Sequence, residues 1–137
     1  MVRDGEVVRL GNVALTAHHT PGHTPGCTSW SMTAPDRGVT RRVLFPCSIS
    51  VAGNRLVGNR AYPGIVGDFR ATFAKLAAMS ADIVLTSHPE AADVVERGAR
   101  RRAGQRNAFV DRTLLPRLVA EYRGDFDTEL AAQRQGK

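Results

Sequence analysis

Early in the chain, apolar and polar positions alternate; from about Pro63 onward, apolar residues recur at helical spacing. Val7–Arg9 and Val13–Ala17, separated by Gly11-Asn12, predict an opening hairpin. Thr28–Thr33, with Trp30 and Met32 alternating against polar neighbours, predicts the next strand, and Ala34–Gly38 reads as a turn. Val43–Phe45 is short and wholly apolar, the pattern of a buried strand, and residues 52–59 read as a loop. Ile65, Val66, Phe69, Phe73, Leu76 and Ala77 fall on one helical face, with Pro63 near the helix start.

Ile83–Leu85 predicts a further buried strand that ends at Thr86-Ser87-His88-Pro89, and a helix follows from about Ala91. Pro89 biases His88 away from helical geometry and places it at the strand exit. A last helix carries Leu115, Leu118, Val119, Tyr122, Phe126 and Leu130 on one stripe, with Asp111 or Thr113 as its cap. Strands first and helices alternating late indicate an α/β layer structure. Residues 1–137 read as a single domain without repeat or linker, and the length suffices for a sizeable core.

Composition adds little to this picture and charge adds a question. Hydrophobic content of 42% and charged content of 23% are ordinary for a globular chain, and no apolar run reaches membrane-span length. The start, Met1–Glu6, is too polar for a signal peptide. The net charge of +6 owes much to Arg97, Arg100, Arg101, Arg102 and Arg106. No aromatic residues are interleaved there for base stacking, so the stretch reads as a solvated helix end; neither a nucleic-acid nor a membrane partner is expected. Cys27 and Cys47 are not in Cys-x-x-Cys spacing and read as two small buried residues.

Candidate chemistry centres on Thr20-Pro21-Gly22-His23-Thr24-Pro25-Gly26-Cys27-Thr28. Prolines fix φ, and glycines permit close approach or left-handed turns, so His23 is presented on a stiff loop. That preorganisation suits a metal ligand. His88, at another strand end, is the second candidate. His18 and His19 face opposite ways if their strand continues, and read as strand-end or supporting residues. Ser48 and Ser50, two apart, share a face if extended and can offer hydroxyls to an anionic ligand. A catalytic zinc takes about three protein ligands. With no His-x-His in the chain, these residues read as part of a metal site.

The segments Leu15–Trp30, Cys47–Val51, Tyr62–Ile65 and Leu85–Pro89 together resemble the C-terminal half of a zinc metallo-β-lactamase, most nearly the third subclass, with its mostly histidine di-zinc site. The resemblance runs from about Val7 to Leu130. It implies one half of an αββα sandwich, in which two similar halves pack sheet to sheet. It further implies that His23 is the third ligand of the first zinc and His88 the distal histidine of the second. Ser48 and Ser50 would hold the carboxylate of a β-lactam. Cys47 stands beside the cysteine-ligand position of another subclass, which Ser48 occupies in this register. The family's His-x-His-x-Asp-His signature belongs to the N-terminal half and is absent here. The resemblance therefore implies a C-terminal fragment, inactive alone and unlikely to hold zinc. The complete, periplasmic or secreted enzyme would cleave β-lactams and confer antibiotic resistance. The alternatives are another hydrolase of the superfamily, acting on thioesters, lactones or RNA, and a non-catalytic interaction domain.

Overall fold

A computed structural model describes residues 2–136. Five strands, β1 (Val7–Leu10), β2 (Val13–His19), β3 (Thr28–Asp36), β4 (Val39–Phe45) and β5 (Ile83–Val84), lie in sequential order in one sheet. The first four are antiparallel, and β5 joins parallel to β4. Helix α1 (Ile65–Ala77) makes the crossover that a parallel pair requires. A 3-10 turn (Pro89–Ala92), α2 (Val94–Arg102) and α3 (Leu114–Arg134) follow.

Several boundaries differ from the sequence pattern, among them the start of β4 at Val39 in place of Val43, and the larger differences have local reasons. Strand β3 runs through Pro35 to Asp36, because Pro35 lies beyond Ser31, the last residue paired to β2. The turn then contracts to Arg37-Gly38, both left-handed, the geometry that suits a two-residue hairpin. The helix expected from Ala91 is split, since Asp93 takes φ 49° between the 3-10 turn and α2. At α3, Thr113 occupies the cap position, while Asp111 Oδ1 accepts the Thr113 N–H at 3.0 Å.

Cross-strand register sorts the sheet into two faces. Thr16, Ser31, Leu44 and Val84 form one row. Leu44 and Val84 pack in the core with Ile65, Phe69, Phe73 and Leu76 of α1 and with Leu115, Leu118 and Phe126 of α3. Phe69, Phe73 and Phe126 form a tight aromatic trio, their ring centroids 5.2–5.9 Å apart. The next row, Ala17, Trp30 and Phe45, points to the opposite face, as does Met32 paired with Val43. Trp30, Met32 and Phe45 are only half-buried. Helices thus cover one face of the sheet, and the other keeps large apolar side chains partly open.

Candidate functional site

The loop after β2 is fastened at several points. Thr20 N–H donates to Cys27 O at 2.9 Å, and Thr72 Oγ1 of α1 donates to Pro21 O at 2.6 Å. Gly22 sits at φ 137° against Phe69, where an added Cβ would lie 2.8 Å from the ring. Glycine is required there for both backbone and space. Cys27 and Cys47 are joined in a disulfide. This corrects the reading of two unlinked buried residues: spacing cannot show that β3 and β4 bring the two cysteines side by side. The bridge also removes Cys47 from any ligand role. Ser29 Oγ, itself bonded to Thr20 Oγ1, accepts the Cys47 N–H at 3.0 Å.

His23 is held by ring and backbone together. Its Nδ1 lies 2.8 Å from the Ser50 carbonyl, which can only accept, so Nδ1 carries the proton of this bond and Nε2 is the nitrogen left for another partner. A backbone carbonyl on one imidazole nitrogen is the usual arrangement when the other binds metal. Asn54 Nδ2 donates to His23 O at 3.1 Å and to Val51 O at 2.8 Å. The turn 51–54, with Ala52 and Gly53 both left-handed, is closed by Asn54 N–H to Val51 O. A non-glycine residue in that conformation, beside the histidine, matches the tendency of strained backbone to sit at functional sites.

His88 is in extended conformation at the exit from β5, as the following proline requires. Its carbonyl accepts from Thr86 Oγ1 and from Ala91 N–H. The side chain, however, is 62% exposed, and its nearest charged neighbour is Glu90, with Nδ1 3.9 Å from Oε1. His23, Ser50, Ala52, His88, Glu90 and Tyr122 line one shallow cavity of about 440 Å³. Ser48 Oγ is 3.1 Å from Ser50 Oγ and borders the adjoining apolar cavity, which His88 and Tyr122 also line. Burial, and then the carboxylates of Glu121, Asp125 and Glu90, raise the pKa of Tyr122, which stays a neutral phenol at the rim.

The four residues singled out by pattern are therefore neighbours. His18 and His19 are not part of this group: His18 Nε2 bonds Ser31 Oγ at 2.7 Å, and His19 Nε2 bonds Val2 O at 2.9 Å. Burial lowers the pKa of His18 and favours its neutral form. Asn54, Glu90 and Tyr122 carry no motif of their own: Asn54 closes the turn after Ser50, Glu90 lies in the 3-10 turn after His88, and Tyr122 reaches the site from α3. Tyr122 was visible only as one member of a helical stripe.

As donors, His23 and His88 suit zinc, but they do not close a site. Among the described residues, no group of three or more His, Cys, Asp or Glu is arranged to hold a metal ion. No helix among those residues is long and apolar enough to cross a membrane.

No family model matches the chain. Solved structures do. The subclass B3 metallo-β-lactamase BJP-1 of Bradyrhizobium japonicum is 47% identical over 98% of this chain and 51% of its own, with a TM-score of 0.93. Native FEZ-1 metallo-β-lactamase of Legionella gormanii is 41% identical over 96% of this chain and 50% of its own, with a TM-score of 0.92. A metallo-β-lactamase of Cronobacter sakazakii with a HARLDQ motif is 41% identical over 97% of this chain and 50% of its own, at 0.90. The chain spans about half the length of these relatives. Backbone and sequence agree along nearly its whole length: the chain belongs to the metallo-β-lactamase family, and its mixed five-stranded sheet and three helices are those of part of that fold.

Proposed function

We propose that the chain is the C-terminal portion of a zinc-dependent β-lactamase, forming a single domain over residues 1–137. In this reading His23 and His88 each give an imidazole to a different zinc of a two-zinc centre. The observation that carries it is the meeting of His23, His88 and Ser50 in one cavity, with His23 Nδ1 committed to Ser50 O. Zinc bound there supplies Lewis-acid polarisation of the lactam carbonyl and lowers the pKa of water. The chain's own residues orient the substrate: Ser48 and Ser50 offer adjacent hydroxyls to its carboxylate, and the disulfide holds the serine segment beside the histidine loop.

The remaining ligands come from a His-x-His-x-Asp-His segment on the other half of the sandwich. The partly open apolar face with Trp30, Met32 and Phe45 supports the docking of that half. By itself the 137-residue chain holds zinc weakly and hydrolyses no β-lactam, and the complete enzyme acts in the periplasm or outside the cell. Nucleic acid and membrane have no part in this reading.

Joining the chain to a matching N-terminal half, fused or as a second polypeptide, tests the proposal. Zinc-dependent hydrolysis of a chromogenic cephalosporin is expected, with His23→Ala lowering it by orders of magnitude. Changing Ser48 and Ser50 together to alanine should mainly raise KM, because both hydroxyls hold ground and transition states alike. Cleavage of a lactone, thioester or RNA with β-lactams untouched would overturn the substrate assignment and leave the zinc-hydrolase fold. No hydrolysis of any kind would favour an interaction domain. One or two zincs retained by the isolated chain after dialysis would refute the half-site.

A further inference from the structure

Four hydrogen bonds converge on Gln133, in the last turn of α3. Its Oε1 accepts the backbone N–H of Leu56 at 2.7 Å and of Val57 at 3.2 Å. Its Nε2 donates to the carbonyl of Asn54 at 3.1 Å and to Glu129 Oε1 at 2.8 Å. Both acceptor sites and both donors of the amide are thus used. Only one orientation of the amide works, because the flipped form would set N–H against N–H and oxygen against oxygen. A glutamine serving its own helix would stop at the Glu129 contact. Three of these four bonds leave the helix for a loop more than seventy residues earlier.

That loop continues the turn that grips His23. Ser50, before the turn, accepts from the His23 ring, and Asn54, closing it, donates to the His23 carbonyl. The turn and the segment after it lie outside any strand or helix, so nothing in their own backbone ladder fixes their height above the sheet. Leu56 is buried in the core and sets their depth. Gln133 ties the Asn54 carbonyl and the Leu56 and Val57 amides to the helical layer. The path is therefore α3, Gln133, Asn54, His23.

We infer that Gln133 is a positioning residue: through Asn54 it fixes where the His23 imidazole stands. Its importance for metal retention rests on the reading of His23 as a ligand; its effect on His23 does not, and the two can fail separately. Long-range proton–nitrogen spectra of the His23 ring, recorded on the metal-free 137-residue chain, read the effect directly. Gln133→Leu should broaden or shift the His23 ring signals and should speed amide exchange of Leu56 and Val57 about tenfold or more. Gln133→Glu keeps an acceptor for those two amides but loses the donor to both Asn54 O and Glu129 Oε1 and sets a carboxylate oxygen against each. It should speed exchange less than the leucine change does and still move His23, and it serves as the second variant if the leucine form folds poorly.

Asn54→Ala removes the last link, so adding Gln133→Leu to it should change the His23 signals no further. Additive changes in that pair, or an unmoved His23 ring in Gln133→Glu, would overturn the inference. In the completed protein, Gln133→Glu should weaken zinc retention about tenfold or more, in the range found for residues that orient a ligand. If His23 moves and zinc does not, the positioning stands and the ligand reading falls.

Discussion

His23 and His88 both stand at strand exits, yet the molecule treats them differently. His23 is fixed through its ring by Ser50 O, through its carbonyl by Asn54, and through its loop by Thr72, Phe69 and the disulfide. His88 is fixed only through its backbone, and its ring is 62% exposed beside a still more open Glu90. The difference follows from where each loop lies. The His23 loop is long and folds down onto α1, so its carbonyls and ring must find partners on neighbouring elements. The His88 segment is short, is set by Pro89, and projects from the edge strand β5, where fewer neighbours exist. One histidine is built into the scaffold, and the other is carried at its rim.

The sharpest way to break this contrast is to open the bridge between Cys27 and Cys47. Replacing both by serine removes a link across a sequence separation of 20 residues and should cost about 3 kcal/mol. Urea unfolding with and without reductant measures it. The ring signals of His23 should change on reduction, while those of His88 should not. Equal changes in both would show that the bridge stabilises the whole fold without favouring the His23 side.

Gly22→Ala is the next largest. A left-handed backbone and a Cβ 2.8 Å from the Phe69 ring should together cost about 1–3 kcal/mol. The loss should again fall on the His23 side, read as a lower denaturation midpoint with an unchanged His88 spectrum.

Asp111 probes a region away from both histidines, where its N–H donates to Asp82 O just before β5. Its carboxylate accepts from Thr113 Oγ1, Arg97 and Arg117, and these bonds, the Thr113 hydroxyl first, hold its pKa at about 2. A folded-state pKa below the unfolded value means that the stabilisation is complete above about pH 4 and is lost as pH falls toward 2. After solvent screening it amounts to about 1–2 kcal/mol. Asp111→Asn should remove that part of the acid dependence, seen as a flatter denaturation midpoint between those pH values, with no change at the His23 ring.

Glu90→Gln is the smallest. An exposed pair 3.9 Å apart contributes little, so the thermal midpoint should not move measurably. A clear drop would show that His88 is anchored more firmly than its exposure indicates.

The sequence by itself determined the elements and the rigid character of the His23 loop. Alternation marked β1 to β3, a short apolar run marked the end of β4, a 3.6-residue period marked α1 and α3, and the Pro-Gly pairs around His23 announced a constrained turn, because all of these are local properties of the chain. It also gave the family, through spaced segments whose residues remain recognisable. Three features were decided by tertiary structure alone: the disulfide, the Ser50 carbonyl behind His23, and the reach of Gln133 to Asn54. Each joins groups separated by 20 to 79 residues, and two of them use backbone atoms that every residue possesses. No residue type advertises a free carbonyl or amide. Only the packing of α3 and β4 against the loops decides which of them meet a side chain.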